Sequence, residues 1–269
     1  MKLLKTLLAA TLTVSMAPAF GAEDAITAAV NSDFRQAVNT ERDNARHPQE
    51  TLQFFDIKPD MTVIELWPGA GVWYAEILGP LVAEQGQYIA ANFNTQGEPL
   101  TARDKFYQQA GQKVEQWIET HRGQLGKAST VTLQPPEHLN LGADNSADRV
   151  LTFRNLHNWQ MNQQLDAVFT AVARVLKPQG IFGVVEHRGK VGMSADSGYM
   201  AQEEVIELAA KHGLVLIEAS EINANPKDTK DYPKGVWTLP PRLALGEQDK
   251  QQYLDIGESD RMTLKFIKQ

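Results

Sequence analysis

Apolar residues along this chain follow two rhythms. Over residues 23–55 they recur at helical spacing: Ala25, Ile26, Ala29 and Val30 share one face, as do Phe34, Ala37 and Val38 further on. Arg46-His47-Pro48 restarts a helix, with the proline suited to its first turn and Leu52, Phe54 and Phe55 as its apolar residues. After Asp56 the pattern changes to short, nearly continuous apolar runs. Residues 61–66, 87–91, 129–133, 149–153, 181–186, 214–222 and 262–267 read as seven strands. Helical patterns over 72–82, 100–121, 165–176 and 200–212 lie between them. Pro135-Pro136 halts the third strand, and Lys177-Pro178-Gln179-Gly180 stops the helix before the fifth. Strands alternating with helices predict right-handed crossovers and a mostly parallel sheet covered on both faces. No helix-length amphipathic run links the sixth and seventh strands. Residues 223–260, rich in Pro, Gly, Asp and Lys, therefore form a long excursion, a length often given to a lid.

The first residues follow a different logic. Met1-Lys2-Leu3-Leu4-Lys5 is a short basic start, residues 6–16 are apolar or small, and Ala17-Pro18-Ala19-Phe20-Gly21-Ala22 offers small-residue cleavage positions. This is the pattern of a secretory signal peptide, and the apolar run is too short to cross a bilayer as an anchor. The expected organisation is a cleaved leader over 1–22, a helical cover over 23–56, and an α/β domain over 57–269 with an insertion at about 223–260. The mature protein is then periplasmic or secreted, with no stable membrane insertion.

Charge and composition narrow the classes further. With 33 acidic and 26 basic residues and no basic run, the chain is a poor binder of nucleic acid phosphates. The absence of cysteine excludes disulfides, thiolate metal sites and cysteine nucleophiles. No histidine pair has helical metal-ligand spacing, so no metal is expected. A G-x-S-x-G elbow and a G-x-x-x-x-G-K phosphate loop are both missing. The oligomeric state is left open.

Ligands of open parallel sheets bind beyond the carboxyl ends of the strands. The first strand there offers Glu65 and then Pro68-Gly69-Ala70-Gly71, whose glycines permit close approach of a ligand or simply a tight turn. A dinucleotide fingerprint would need a third glycine where Tyr74 stands and an acidic residue near Asn92, so nicotinamide and flavin cofactors are disfavoured.

Three segments carry a family resemblance. Val63-Ile64-Glu65-Leu66-Trp67-Pro68-Gly69-Ala70-Gly71 resembles the first motif of the class I S-adenosylmethionine-dependent methyltransferases. Asp148-Arg149-Val150-Leu151-Thr152-Phe153-Arg154-Asn155-Leu156 resembles the fourth-strand segment of their small-molecule members, and Arg174-Val175-Leu176-Lys177-Pro178-Gln179-Gly180 the run before their fifth strand. Arg46-His47-Pro48, the segment from Arg154 to Trp159 and Gly235-Val236-Trp237-Thr238-Leu239-Pro240-Pro241 further resemble a branch of exported bacterial methyltransferase-like proteins. The resemblance implies a Rossmann-like, seven-stranded α/β fold, S-adenosylmethionine as cofactor and a small-molecule methyl acceptor.

By that resemblance, Glu65 orients the methionine end of the cofactor, and Gly69 and Gly71 lie under its ribose and carboxypropyl part. Asn92 stands at the ribose carboxylate's position, and Arg154 and Asn155 face cofactor and substrate. Trp67 replaces a family glycine and either walls a pocket or packs in the core. His157 is the candidate base for a protonated nucleophile, because imidazole as a residue type titrates near neutrality; otherwise it is a polar loop residue or a helix cap. Trp159, Glu186, His187, Tyr199 and His47 are candidate substrate contacts, each with a plain alternative as packing or surface charge. The alternatives to a methyltransferase are a non-catalytic binding protein and a divergent enzyme on the same fold.

Overall fold

The computed structural model describes residues 21–269. The leader expected over 1–22 lies outside the described residues except for its last two, and Ala22 already opens a helix. Four short helices come first: α1 (Ala22–Val30), α2 (Ala37–Thr40), α3 (Asp43–Arg46) and α4 (Pro48–Phe54). There follow β1 (Thr62–Leu66), α5 (Ala75–Val82), β2 (Gln87–Asn92), α6 (Ala102–Thr120), α7 (Arg122–Leu125), β3 (Ser129–Thr132) and β4 (Ala147–Phe153). The second half holds α8 (Leu156–Met161), α9 (Leu165–Val175), β5 (Leu176–Gly189), the two-residue β6 (Met200–Ala201), α10 (Gln202–Lys211), β7 (Leu214–Ser220), α11 (Lys250–Ile256) and β8 (Arg261–Lys268).

Seven strands pair in the order β3-β2-β1-β4-β5-β8-β7, and β6 adds to β5. The first five in this row are parallel, while β8 is antiparallel to both of its neighbours. The expected mostly parallel α/β sheet is therefore present. Alternation along β1 divides the core into two layers. Val63 faces Ile26, Leu52, Phe55 and Ile77 of the N-terminal helices and α5, whereas Ile64 and Leu66 face Trp159, Phe169 and Val172 of α8 and α9. The central strands are buried on both faces, which is why they read as continuous apolar runs. Among the described residues, no helix is long and apolar enough to cross a membrane.

The structure departs from the sequence reading in three places. The helix expected from Val72 begins at Ala75, because Gly69 and Val72 both take positive φ (71° and 47°) and the chain must finish that turn first. His157 is not in a loop: it sits in the first turn of α8, a helix too short for periodicity to reveal. The 223–260 excursion contains a 3-10 turn at Gly235–Thr238 and α11, which buries only Tyr253 and so shows no amphipathic stripe.

Candidate functional site

The carboxyl ends of β1, β4 and β5 meet the 223–260 excursion around a cavity of about 310 Å³. This lies at the low end of the roughly 300–1,000 Å³ typical of small-molecule sites. Its floor is the turn after β1. Trp67 (φ 49°) donates its backbone N–H to Ala91 O at 2.8 Å, and its ring N–H to Leu133 O at 2.7 Å. Asn155, just after β4, donates to Leu66 O (2.9 Å) and Trp67 O (3.2 Å), fixing this turn against β4. A Cβ built on Gly69 or Gly71 meets nothing within 4 Å. Space is therefore open above both glycines, and at Gly69 the positive φ also favours glycine.

One wall carries the histidines. His157 is 4% exposed, and its Nδ1 lies 3.0 Å from Glu186 Oε1. Glu186, fully buried, also accepts from the backbone N–H of His187 at 2.8 Å and of His157 at 3.4 Å. An ionised carboxylate only accepts, so the bond to Glu186 places a proton on Nδ1 of His157, while Nε2 makes no hydrogen bond among the described residues. His187 Nδ1 lies 2.5 Å from Ser259 Oγ. Burial, reinforced by His157 and the neighbouring arginines, holds the His187 imidazole well below its usual range and hence neutral. Ligand atoms of His157, Glu186 and His187 all lie within 4.8 Å of one another, a grouping that sequence spacing concealed because it spans two elements. Trp237 of the excursion faces His157 edge-on, with ring centroids 5.9 Å apart.

The histidines are flanked by a basic cluster. Arg42, Arg46 and Arg261 converge on Glu258 at 2.5, 3.4 and 3.1 Å. Arg46 also stacks on Trp73 at 4.7 Å. Burial first, then Arg154, pushes the Arg46 guanidinium down to about 8 against the pull of Glu258. Burial raises the Glu258 carboxyl, but Arg261, Arg46, Arg154 and Arg42 outweigh it and hold it at about 2. Arg154 lines the cavity in a left-handed conformation (φ 62°), its backbone N–H bonded to Val185 O. This charge density opposes a cation at the nearby histidines.

The expected site residues thus divide. Trp67, Gly69, Arg154, Asn155, His157 and His187 line the cavity, and Glu186 stands directly behind His157. Glu65 is 2% exposed and accepts from Tyr88 at 2.6 Å inside the core. Asn92 does not reach the cavity: it is 1% exposed, donates to Gly111 O at 2.9 Å, and its Oδ1 is buried without a partner among the described residues. The cause is the close approach of α6, where a Cβ on Gly111 would lie 3.0 Å from Phe93 O. Trp159 is fully buried against Trp67, with ring centroids 4.6 Å apart. Tyr199 is 1% exposed and spends its hydroxyl on Asp228. His47 occupies the α3–α4 junction with φ 43°, and its Nδ1 is buried. Arg42, Glu258, Ser259 and Arg261 were not foreseen; Glu258-Ser259-Asp260-Arg261 reads in sequence as a solvated charge run.

A larger trough of about 810 Å³ lies between β3 and α9, with Val131, His138, Ala167 and Arg174 in its walls. It shares no lining residue with the first cavity and collects no comparable group of titratable side chains.

Comparison with known proteins agrees with this architecture. Residues 104–184 match a family model described as a methyltransferase domain. A SAM-dependent methyltransferase from Aquifex aeolicus superimposes with a TM-score of 0.53 at 15% identity, covering 84% of this chain and 92% of the other. A putative sarcosine dimethylglycine methyltransferase from Galdieria sulphuraria gives 0.55 at 15% identity, covering 87% and 90%. SpnF, a 4+2 cyclase, gives 0.55 at 16% identity, covering 88% and 84%. At these identities the likeness shows the fold. No curated protein sequence matches.

Proposed function

We propose that this chain is a class I S-adenosylmethionine-dependent methyltransferase, exported and acting on a small molecule; the match of residues 104–184 to a methyltransferase-domain model and the shared fold support this reading. The carrying observation is the His157–Glu186 pair, 3.0 Å apart and buried, opening on a cavity whose floor is the glycine turn. The residues fit the cofactor at that floor. Open space above Gly69 and Gly71, with Asn155 holding the turn, leaves room for its methionine end. When bound, S-adenosylmethionine supplies an electrophilic methyl group on a sulfonium centre.

The protein's own residues then have three tasks. Glu186 accepts the Nδ1 proton of His157, which fixes ring and tautomer so that Nε2 is the base offered to an acceptor's proton. The 223–260 excursion places Trp237 and Leu239 over the cavity and restricts water there. The small volume favours a small molecule over a polymer, and the leader pattern of residues 1–22 supports export.

A second reading, a binding protein that kept the fold, has its own support. Trp67 stands where the family has glycine, and its ring packs on Phe93 at 4.7 Å and Trp159 at 4.6 Å. Asn92 is turned toward α6. Calorimetry on protein recovered from the exported fraction separates the two readings. Micromolar binding of S-adenosylhomocysteine, abolished by Gly69→Arg, is the expected result. No binding of it or of S-adenosylmethionine at millimolar concentration leaves the second reading standing. N-terminal sequencing of the same sample should begin near residues 20–23.

A further inference from the structure

The chain carries seven more acidic than basic residues, yet four arginines gather around Glu258, a residue of the cavity lining. Among the described residues, Glu258 is the carboxylate bonded to three of them. Its two oxygens are shared by Arg42, Arg46 and Arg261, all within 3.4 Å. The Arg154 side chain lines the cavity, is partly exposed, and has no hydrogen bond or ion pair among the described residues. Arg242, at the rim of the same cavity, is exposed and likewise unpaired among the described residues. One carboxylate cannot neutralise four guanidiniums, and Arg154, open to the cavity and without a partner among the described residues, is the one placed to take an anion from a ligand. The depressed Arg46 and Arg154 guanidiniums, brought by burial to about 8 and about 10, express the same deficit. Trp67, Phe153, Trp237, Leu239 and Pro240 add apolar and aromatic surface to the lining, beside the histidines and Asn155.

We propose that the molecule taken up by this cavity is an organic acid, an apolar or aromatic body bearing a carboxylate or phosphate group that seats on Arg154 in the forked geometry of guanidinium–oxyanion pairs. This rests on the reading of the cavity as the acceptor site. The acid group lies on the Arg154 side, and the group to be methylated lies toward His157, three residues further along the same segment. Arg242 draws the anion in at the rim, and Trp237 and Pro240 cover its body.

The anion has two conceivable sources, the acceptor and the carboxylate of the cofactor itself, and one experiment separates them. Benzoate, phenyl phosphate and inorganic phosphate are titrated calorimetrically into the exported protein, alone and saturated with S-adenosylhomocysteine. The series is repeated with Arg154→Gln and Arg242→Gln. The organic anions should bind, and should still bind with S-adenosylhomocysteine present. Arg154→Gln should weaken them about tenfold or more, with S-adenosylhomocysteine affinity kept. Arg242→Gln should slow association and reduce its salt dependence. Equal anion binding by wild type and Arg154→Gln overturns the proposal. So does displacement of the anions by S-adenosylhomocysteine, combined with an Arg154→Gln loss for that compound but not for 5′-methylthioadenosine, which lacks the carboxylate. Anion binding without S-adenosylhomocysteine binding upholds the anion site and removes the methyltransferase reading. If Arg154→Gln does not fold, Arg154→Lys, which keeps charge and loses the fork, must weaken the organic anions for the proposal to stand.

Discussion

Substituting glutamine for Glu258 is expected to lower the unfolding free energy at pH 7 by about 3 kcal/mol, the scale for removing one member of a buried ion pair. Glu258 is the one carboxylate among Arg42, Arg46, Arg154 and Arg261, and its side chain is 9% exposed. Glutamine keeps the shape and one acceptor oxygen but removes the charge, so the buried guanidiniums of Arg46 and Arg261 face one another without compensation. The pH dependence identifies the cause. The folded-state carboxyl is held at about 2, below its ordinary value of 4.5. Its contribution is therefore complete above pH 4.5 and is lost as pH falls through 2. Urea unfolding of wild type and Glu258→Gln should differ most at pH 6–7, and the gap should shrink toward pH 3. A gap that is constant with pH, or below about 1 kcal/mol at neutrality, would mean that the arginines are compensated elsewhere. Phosphate in the buffer should narrow the gap, since an external anion then takes over part of the carboxylate's task.

How much of this was legible in advance depends on whether a feature is local. The run Thr62–Leu66, the glycine turn after it and the amphipathic Leu165–Val175 each carry their signal within a dozen residues, and all three appear where periodicity places them. α8 and α11 are only six and seven residues long, and with so few turns a buried face leaves no repeat to read. The extra length of β5 was hidden by Lys177-Pro178-Gln179-Gly180: those residues stop α9 and yet continue as an irregular start of the strand, with a register shift against β4.

The site shows the same division. Arg154, Asn155 and His157 follow a strand end directly, so the topology alone put them at the cavity. Glu186 and His187 end the neighbouring strand, and parallel pairing of β4 with β5 brings them beside His157. Glu258 reaches the cavity through the excursion, and Arg42 of the N-terminal helices meets it across more than 200 positions of the chain. No local pattern encodes that closure. Asn92 shows the converse case: its place at the end of β2 suited the expected role, but the approach of Gly111 on α6 took up its amide. Side-chain direction at a strand end is decided by the helix that covers it, and this is not written in the strand.

Glu65 gives the second large effect, with the opposite sign of pH dependence. Its side chain is 2% exposed and meets Tyr88 Oη at 2.6 Å, in the layer beneath the N-terminal helices. Burial raises its carboxyl from 4.5 to about 7, only partly offset by the Tyr88 hydrogen bond. A raised acid binds its proton more tightly in the folded than in the unfolded chain. Its stabilising contribution is thus complete below pH 4.5 and is lost as pH rises through 7, an interval worth about 3 kcal/mol at 1.4 per pH unit. Glu65→Gln carries no titrating proton, so its unfolding free energy relative to wild type should rise by about 3 kcal/mol between pH 4.5 and pH 8. The comparison is independent of any constant offset from burying an amide, because that offset is the same at both pH values. Denaturant unfolding at four or five pH values measures it, and a flat difference would show that Glu65 is not the group being protonated. The same variant bears on the site. A core carboxyl held by Tyr88 predicts that S-adenosylhomocysteine affinity changes less than about threefold on Glu65→Gln, well under the cost of a lost charged hydrogen bond. A loss of tenfold or more would instead require the carboxylate to leave Tyr88 and turn toward the glycine turn when ligand arrives, with the buried proton released above pH 4.5 as the linked event.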